Sequence, residues 1–318
     1  MNRTARVVGA LALWAGSAIA CTAAPIASTT SAPSSDVRAT TTPPPSAAPP
    51  GSVPVPVPVP VEVPRGERVT FSSGDLELEG YVFRPPGPGP FPAVVWNHGS
   101  EKDPTSGQFD AIAKVFVPAG FVVFAPVRRG QGASPGEYVV DQIAAAGASG
   151  GLEAANALQV QLLTGPQLDD QLAGLRWLAD QPYVDASTVA VAGCSFGGIE
   201  TLLGAERAGG SGYRAAIAIS PAAETWALNA TLRTRLLAAA DAMPVPILII
   251  QPQHDADVSP GYELGRAMQA KGKPYGLEII PPFGTERQQR HCFGGQGGEI
   301  WGPNAVHFLR QALDLPAA

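Results

Sequence analysis

Along residues 67–313 the spacing of apolar positions changes period repeatedly. Glu67–Phe71 and Leu76–Phe83 alternate apolar with polar residues around Ser72-Ser-Gly-Asp75, which predicts an antiparallel hairpin. Short apolar runs then recur at Ala93–Asn97, Phe121–Ala125, Val189–Gly193, Tyr213–Ile219, Pro246–Gln251 and Tyr275–Ile280, each of strand length. Between them the period turns helical. One helix is expected through Phe109, Ile112, Ala113 and Phe116, and another through Ile199, Leu202, Leu203 and Ala205. Residues 141–181 read as helix in two pieces broken at Gly165-Pro166, and further helices are expected over 222–242, 260–271 and 299–313. Strands alternating with helices predict an α/β fold: a mostly parallel central sheet covered by helices on both faces, edged by the N-terminal antiparallel hairpin. In such sheets chemistry gathers at the carboxyl ends of the strands. Four polar loops fall there, at 98–100, 128–134, 193–197 and 252–258.

This pattern begins only after residue 64. Arg3 and Arg6 precede an apolar run, Val7–Ile19, too short for a comfortable membrane span, so residues 1–20 read as a signal peptide. Residues 21–64 are rich in Ala, Ser, Thr and Pro and lack the apolar content for a core, which predicts a disordered linker; Val53–Pro60 alternates Val with Pro, as an extended spacer would. Ala18-Ile-Ala-Cys21 resembles a bacterial lipobox, with Ala18 where leucine is usual. That resemblance implies a lipidated Cys21 and a membrane tether; cleavage near Ala20 or Ala24, releasing a secreted protein, is the alternative. Either way the chain is expected to be exported, as a cell-surface or periplasmic lipoprotein or free, with residues 65–318 as its catalytic domain.

The 318 residues are 45% hydrophobic, enough for a substantial core, and the net charge of −6 without a basic cluster argues against nucleic acid as a partner. Apart from Cys21 the cysteines are Cys194 and Cys292. They read as two separate thiols, with pairing in an oxidising compartment as the alternative.

The candidate chemistry centres on Gly193-Cys-Ser-Phe-Gly197, a G-x-S-x-G placed between a strand and a helix. That context makes it a sharp turn that lifts the Ser195 hydroxyl above the sheet, with glycines where neighbouring Cβ atoms would clash. The Phe196 amide then sits at a helix N-terminus, suited to an oxyanion, and the Ser100 amide after the first parallel strand is the candidate second donor. A serine nucleophile needs an oriented base. Of the four histidines, His98 adjoins the oxyanion loop, His254 the candidate acid, and His307 lies within the last helix; His291, in a Gly-rich loop before that helix, is the candidate base. Asp255 is preferred over Asp257 as its acid partner. Arg128 and Arg129 are candidate contacts for an acidic substrate group, salt-bridged loop arginines being the alternative, and Trp226 is a candidate lid residue. The histidines and acids lack metal-ligand spacing, and Gly130 and Gly132 do not form a dinucleotide fingerprint, so neither metal nor cofactor is implied.

Trp96-Asn-His-Gly-Ser100, Ala125–Ser134, Leu175-Arg-Trp-Leu178, Tyr183-Val-Asp185, Gly193–Gly198 and the Asp255 and His291 loops together resemble the α/β-hydrolase superfamily, in its dienelactone-hydrolase-like and prolyl-oligopeptidase-like branch. The resemblance covers about residues 67–315. It implies the order Ser195, Asp255, His291 for a catalytic triad and hydrolysis through an acyl-enzyme. Dienelactone hydrolases proper use a cysteine nucleophile, so the serine here argues against dienelactone as substrate. Peptidases of the branch usually add a large N-terminal propeller, for which this chain has no room. The expected activity is cleavage of small or exposed carboxylic esters. A small peptidase or amidase, and a non-catalytic surface binding protein on the same fold, are the alternatives.

Overall fold

The computed structural model describes residues 65–316 apart from Thr105 and Gln296, so the signal peptide, Cys21 and the 21–64 linker lie outside the described residues. The described residues belong to one compact unit, Pro58–Ala318. The strands are β1 (Glu67–Ser73), β2 (Leu76–Phe83), β3 (Phe91–Asn97), β4 (Val122–Pro126), β5 (Val184–Cys194), β6 (Ala215–Ile219), β7 (Ile247–Pro252) and β8 (Tyr275–Ile280). The helices are α1 (Ser106–Phe116), α2 (Val139–Thr164), α3 (Pro166–Ala179), α4 (Phe196–Gly212), α5 (Ala230–Ala242), α6 (Ser259–Ala270), the single turn α7 (Arg287–Arg290) and α8 (Gly298–Ala312).

All eight strands form one sheet in the order β1-β2-β4-β3-β5-β6-β7-β8. β2 runs antiparallel to both β1 and β4, and every other pairing is parallel. The alternation of side chains along each strand divides the core in two. Val95, Phe124, Val189 and Val191 point to the face covered by α2 to α6, through Leu162, Leu168, Leu203, Leu236 and Leu264. Val94, Val123, Ala190 and Ala192 point to the face covered by α1 and α8, through Phe109, Phe116, Trp301 and Leu309. Both faces of the central strands are therefore buried, which explains their unbroken apolar runs.

Four elements depart from the sequence expectation. The hairpin turn narrows to Gly74-Asp75, with Gly74 at φ 59°. α2 is broken at Gly151, whose φ of 76° no helix admits and where an added Cβ would meet nothing. Residues 222–242 are not one helix. Residues 221–228 form turns, Ala222 takes φ 58°, and α5 starts only after Asn229, whose side chain accepts from Leu232 N–H at 2.9 Å. The same Asn229 amide donates to Asn156 O and Gln159 Oε1 of α2, tying the two helices together. Finally, the Gly-rich loop from His291 holds a 3-10 turn, Cys292–Gly295, and is preceded by the single turn α7.

Phe124 is a closely fitted core side chain. Its ring centroid lies 5.6 Å from that of Phe71 and 4.8 Å from that of Trp177. It also fills the space left by two glycines, since a Cβ on Gly80 or Gly174 would fall 2.5 or 3.0 Å from the ring. Phe124→Ala should therefore cost about 3–5 kcal/mol, read from urea unfolding of the purified protein.

Candidate active site

The elbow is shaped by close backbone approach more than by glycine dihedrals. Ser195 itself holds the strained conformation, φ 58° and ψ −119°. A Cβ on Gly193 would lie 2.6 Å from both Asn97 O and Gly197 O, and one on Gly197 would lie 2.0 Å from Asn97 O. Backbone bonds fix the serine from two sides: its N–H donates to Ile219 O of β6 at 3.0 Å, and its carbonyl accepts from Ile199 N–H of α4 at 3.0 Å. Ser195 is part-exposed at the carboxyl edge of the sheet, and the Phe196 amide is the first of α4, where no intrahelical acceptor exists.

His291 and Asp255 come together across 36 residues of chain. His291 Nδ1 and Asp255 Oδ1 are 2.8 Å apart, with the Asp255 side chain wholly shielded and that of His291 15% exposed. Ala256 N–H donates to Asp255 Oδ1 at 2.7 Å and Gln251 Nε2 to Oδ2 at 2.8 Å, so the carboxylate is held at both oxygens. With the proton on Nδ1, His291 Nε2 is an acceptor; it is buried and without a hydrogen-bond partner. The Ser195–His291 hydrogen bond is thus not formed in this structure. What joins the serine side to the histidine side is a disulfide, Cys194–Cys292, with Cα atoms 5.8 Å apart. The two cysteines are therefore not separate thiols, contrary to the expectation from sequence. The bond closes 98 residues of chain, worth about 4–5 kcal/mol in the chain-entropy picture.

The remaining candidates sort by burial. His254 and His307 are exposed. Asp257 Oδ1 accepts from Ser259 N–H at 2.8 Å at the head of α6, a local turn contact. Arg128 and Arg129 follow the alternative of salt-bridged loop arginines, and the candidate lid residue Trp226 is packed away. Arg128 is fully buried: Nη1 lies 3.1 Å from Glu200 Oε2, Nη2 donates to Gly99 O at 2.6 Å, and the guanidinium sits 5.1 Å from the Phe196 ring centroid. Arg129 is taken up by buried Asp170, to which Nε and Nη2 donate at 2.8 and 2.6 Å. Trp226 packs at 2% exposure in the core, leaving no indole over the site. The loop after β3 is nevertheless well braced. Arg128 holds Gly99 O, the Tyr138 hydroxyl donates to Ser100 O, and Arg128 N–H donates to His98 Nε2 at 3.3 Å. Ser100 itself is part-buried.

Sequence reasoning missed Glu200, Asp170, Tyr138 and Gln251. Only Glu200 left a signal, as the one charged residue within the apolar start of α4. Burial pushes its carboxyl up to about 8, against the pull of Arg128. Burial, aided by the Arg128 charge, pulls His98 down to about 4, so its imidazole is neutral at pH 7. Unfolded, His98 would take up a proton below about 6.5, whereas the folded chain resists until about 4. The contribution of His98 to stability is therefore fully present above that window and lost as pH falls through it, by up to about 3 kcal/mol. Glu200, held at about 8, contributes in the opposite sense as pH falls towards 4.5, so the His98 contribution is read as a difference: in paired pH series of thermal midpoints, the parent should lose stability relative to His98→Asn between about pH 6.5 and 4.

Residues 136–235, a stretch that contains the elbow, match the prolyl oligopeptidase family model. A sequence search of curated proteins finds no match. Among solved structures, the Pyrococcus horikoshii acylaminoacyl peptidase is similar at 15% identity and TM-score 0.61, over 81% of this chain and 43% of that one. A Mycobacterium tuberculosis puromycin-hydrolyzing peptidase is similar at 18% identity and TM-score 0.58, over 80% and 40%. The chain thus spans less than half the length of these peptidases. The Pyrococcus furiosus esterase Pf2001 is similar at 16% identity and TM-score 0.56, over 77% of this chain and 92% of the esterase. Sheet order, helix layers and these structural likenesses give the chain the α/β-hydrolase fold, with the prolyl oligopeptidase family match lying across the elbow.

Proposed function

We propose that the chain is an exported esterase in which Ser195 is the nucleophile, His291 the general base and Asp255 the acid that orients it. The observation that carries this reading is the 2.8 Å His291–Asp255 contact, which leaves Nε2 as an open acceptor on a loop bonded next to Ser195. Ser195 Oγ attacks the ester carbonyl carbon while its proton passes to His291 Nε2. The oxyanion is met by the amides of Phe196 and Ser100. Collapse releases the alcohol, which takes the proton from His291. Water then attacks the acyl-enzyme by the same path and frees the acid and the serine.

Ester cleavage is supported by the likeness to the esterase Pf2001. The turns of 221–228, with Trp226 packed inward, support an open site for small or exposed substrates. The second reading, a small peptidase or amidase, is favoured by the prolyl oligopeptidase match. Export is supported by the Arg3, Arg6 and Val7–Ile19 pattern and by a disulfide that needs an oxidising compartment. A lipidated Cys21 would tether the enzyme to a membrane.

On p-nitrophenyl esters, Ser195→Ala and His291→Ala should each lower kcat by about 10⁴–10⁶, and Asp255→Asn by about 10⁴. A fluorophosphonate should label the parent at Ser195. Full activity in folded Ser195→Ala would overturn the assignment, and faster turnover of the matched anilide would move the reading to amidase. Cys21→Ser should shift the full chain from the membrane fraction to the soluble fraction.

A further inference from the structure

The disulfide stands where the chemistry would feel it. Cys194 is the last residue of β5 and directly precedes Ser195, while Cys292 directly follows His291. The chain leading into the histidine runs along the surface. Residues 284–287 are exposed, and α7 is a single turn whose Arg287 pairs with Glu224 at the surface. Cys292 and Phe293 both take positive φ, 61° and 59°, a left-handed pair that L residues hold only when their surroundings impose it. Two anchors impose it here: the fully buried Phe293 ring, 6.3 Å from Phe283, and the sulfur bond to β5. His291 reaches Asp255 immediately before this strained pair.

We propose that the Cys194–Cys292 bond is a positioning strap that sets the His291 imidazole between Asp255 and Ser195, making turnover depend on the oxidised state. This rests on the triad reading above. The two partners differ in access: Cys194 is buried at 6% exposure, whereas Cys292 is part-exposed. A dithiol can therefore attack Cys292 Sγ, expel the Cys194 thiolate, and close to its own cyclic disulfide. Two electrons and two protons pass to the cysteines, leaving two thiols, and the reductant is oxidised in equal measure. Freed from β5, the 291–293 segment loses its covalent anchor, and the imidazole no longer has a fixed place relative to Asp255 and Ser195.

The test uses the full chain, oxidised and then reduced with dithiothreitol, with thiols counted and near-ultraviolet circular dichroism recorded. The expected result is a fall in kcat of at least about tenfold on p-nitrophenyl acetate with KM little changed, reversed by oxidised glutathione, while the dichroism is retained. The double variant Cys194→Ala with Cys292→Ser should have the same low kcat and ignore dithiothreitol. Reduced protein that shows the two freed thiols and keeps its kcat within about twofold would overturn the strap. So would a loss of activity that appears only together with loss of the dichroism, because the bond would then serve stability alone. If the oxidised chain cleaves no ester and takes no fluorophosphonate, the esterase reading fails instead. The strap is then decided by the downfield proton resonance of His291 Nδ1, expected in the oxidised protein and lost on reduction; its persistence in the reduced, folded protein would overturn the strap.

Discussion

The site depends on how closely the end of β3 approaches the elbow. Asn97 O comes within 2.6 Å of where a Gly193 Cβ would stand and within 2.0 Å for Gly197, so only bare backbone fits at either place. That approach sets the loop after β3 against the first turn of α4, where His98 O also stands within 2.6 Å of a Gly197 Cβ. It also explains why Ser195 can carry an unfavourable dihedral pair. β6 holds its N–H, α4 holds its carbonyl, and β3 leaves its neighbours no room to relax.

Behind this contact lies a buried polar cluster of Arg128, Glu200 and His98. Arg128 touches Glu200 of α4, Gly99 O and the Phe196 ring, so a single guanidinium bridges the loop after β3 and the first turn of α4. Glu200, its carboxyl held at about 8 by burial, faces the guanidinium, and neutral His98 faces the Arg128 N–H, mainly as polar partners rather than opposite charges, so removing either would leave a buried Arg128 donor without its polar partner. His98, kept neutral by the same burial, accepts from the Arg128 backbone and completes the brace.

Much of this was legible in the sequence because it follows from periodicity. Runs such as Ala93–Asn97 and Val189–Gly193 are apolar throughout since both faces are covered, and Gly193 and Gly197 stand out because close approach admits nothing larger. What could not be read depends on tertiary partners. Ala222 interrupts the expected 222–242 helix through a positive φ that no propensity scale foretells. Arg128 looks like a surface arginine until Glu200 is found opposite it. The pairing of Cys194 with Cys292 requires knowing that 98 residues of chain return to the same spot.

The break at Gly151 carries a consequence of another kind. The residue beside it, Leu152, is 64% exposed, and space around Gly151 is open, while the following turn is tied to α5 through Asn156, Gln159 and Asn229. Added residues at the break would project into solvent without pulling on the sheet. This is where a lineage, or an engineer, can graft a lobe that reshapes access while the sheet beneath keeps its own register.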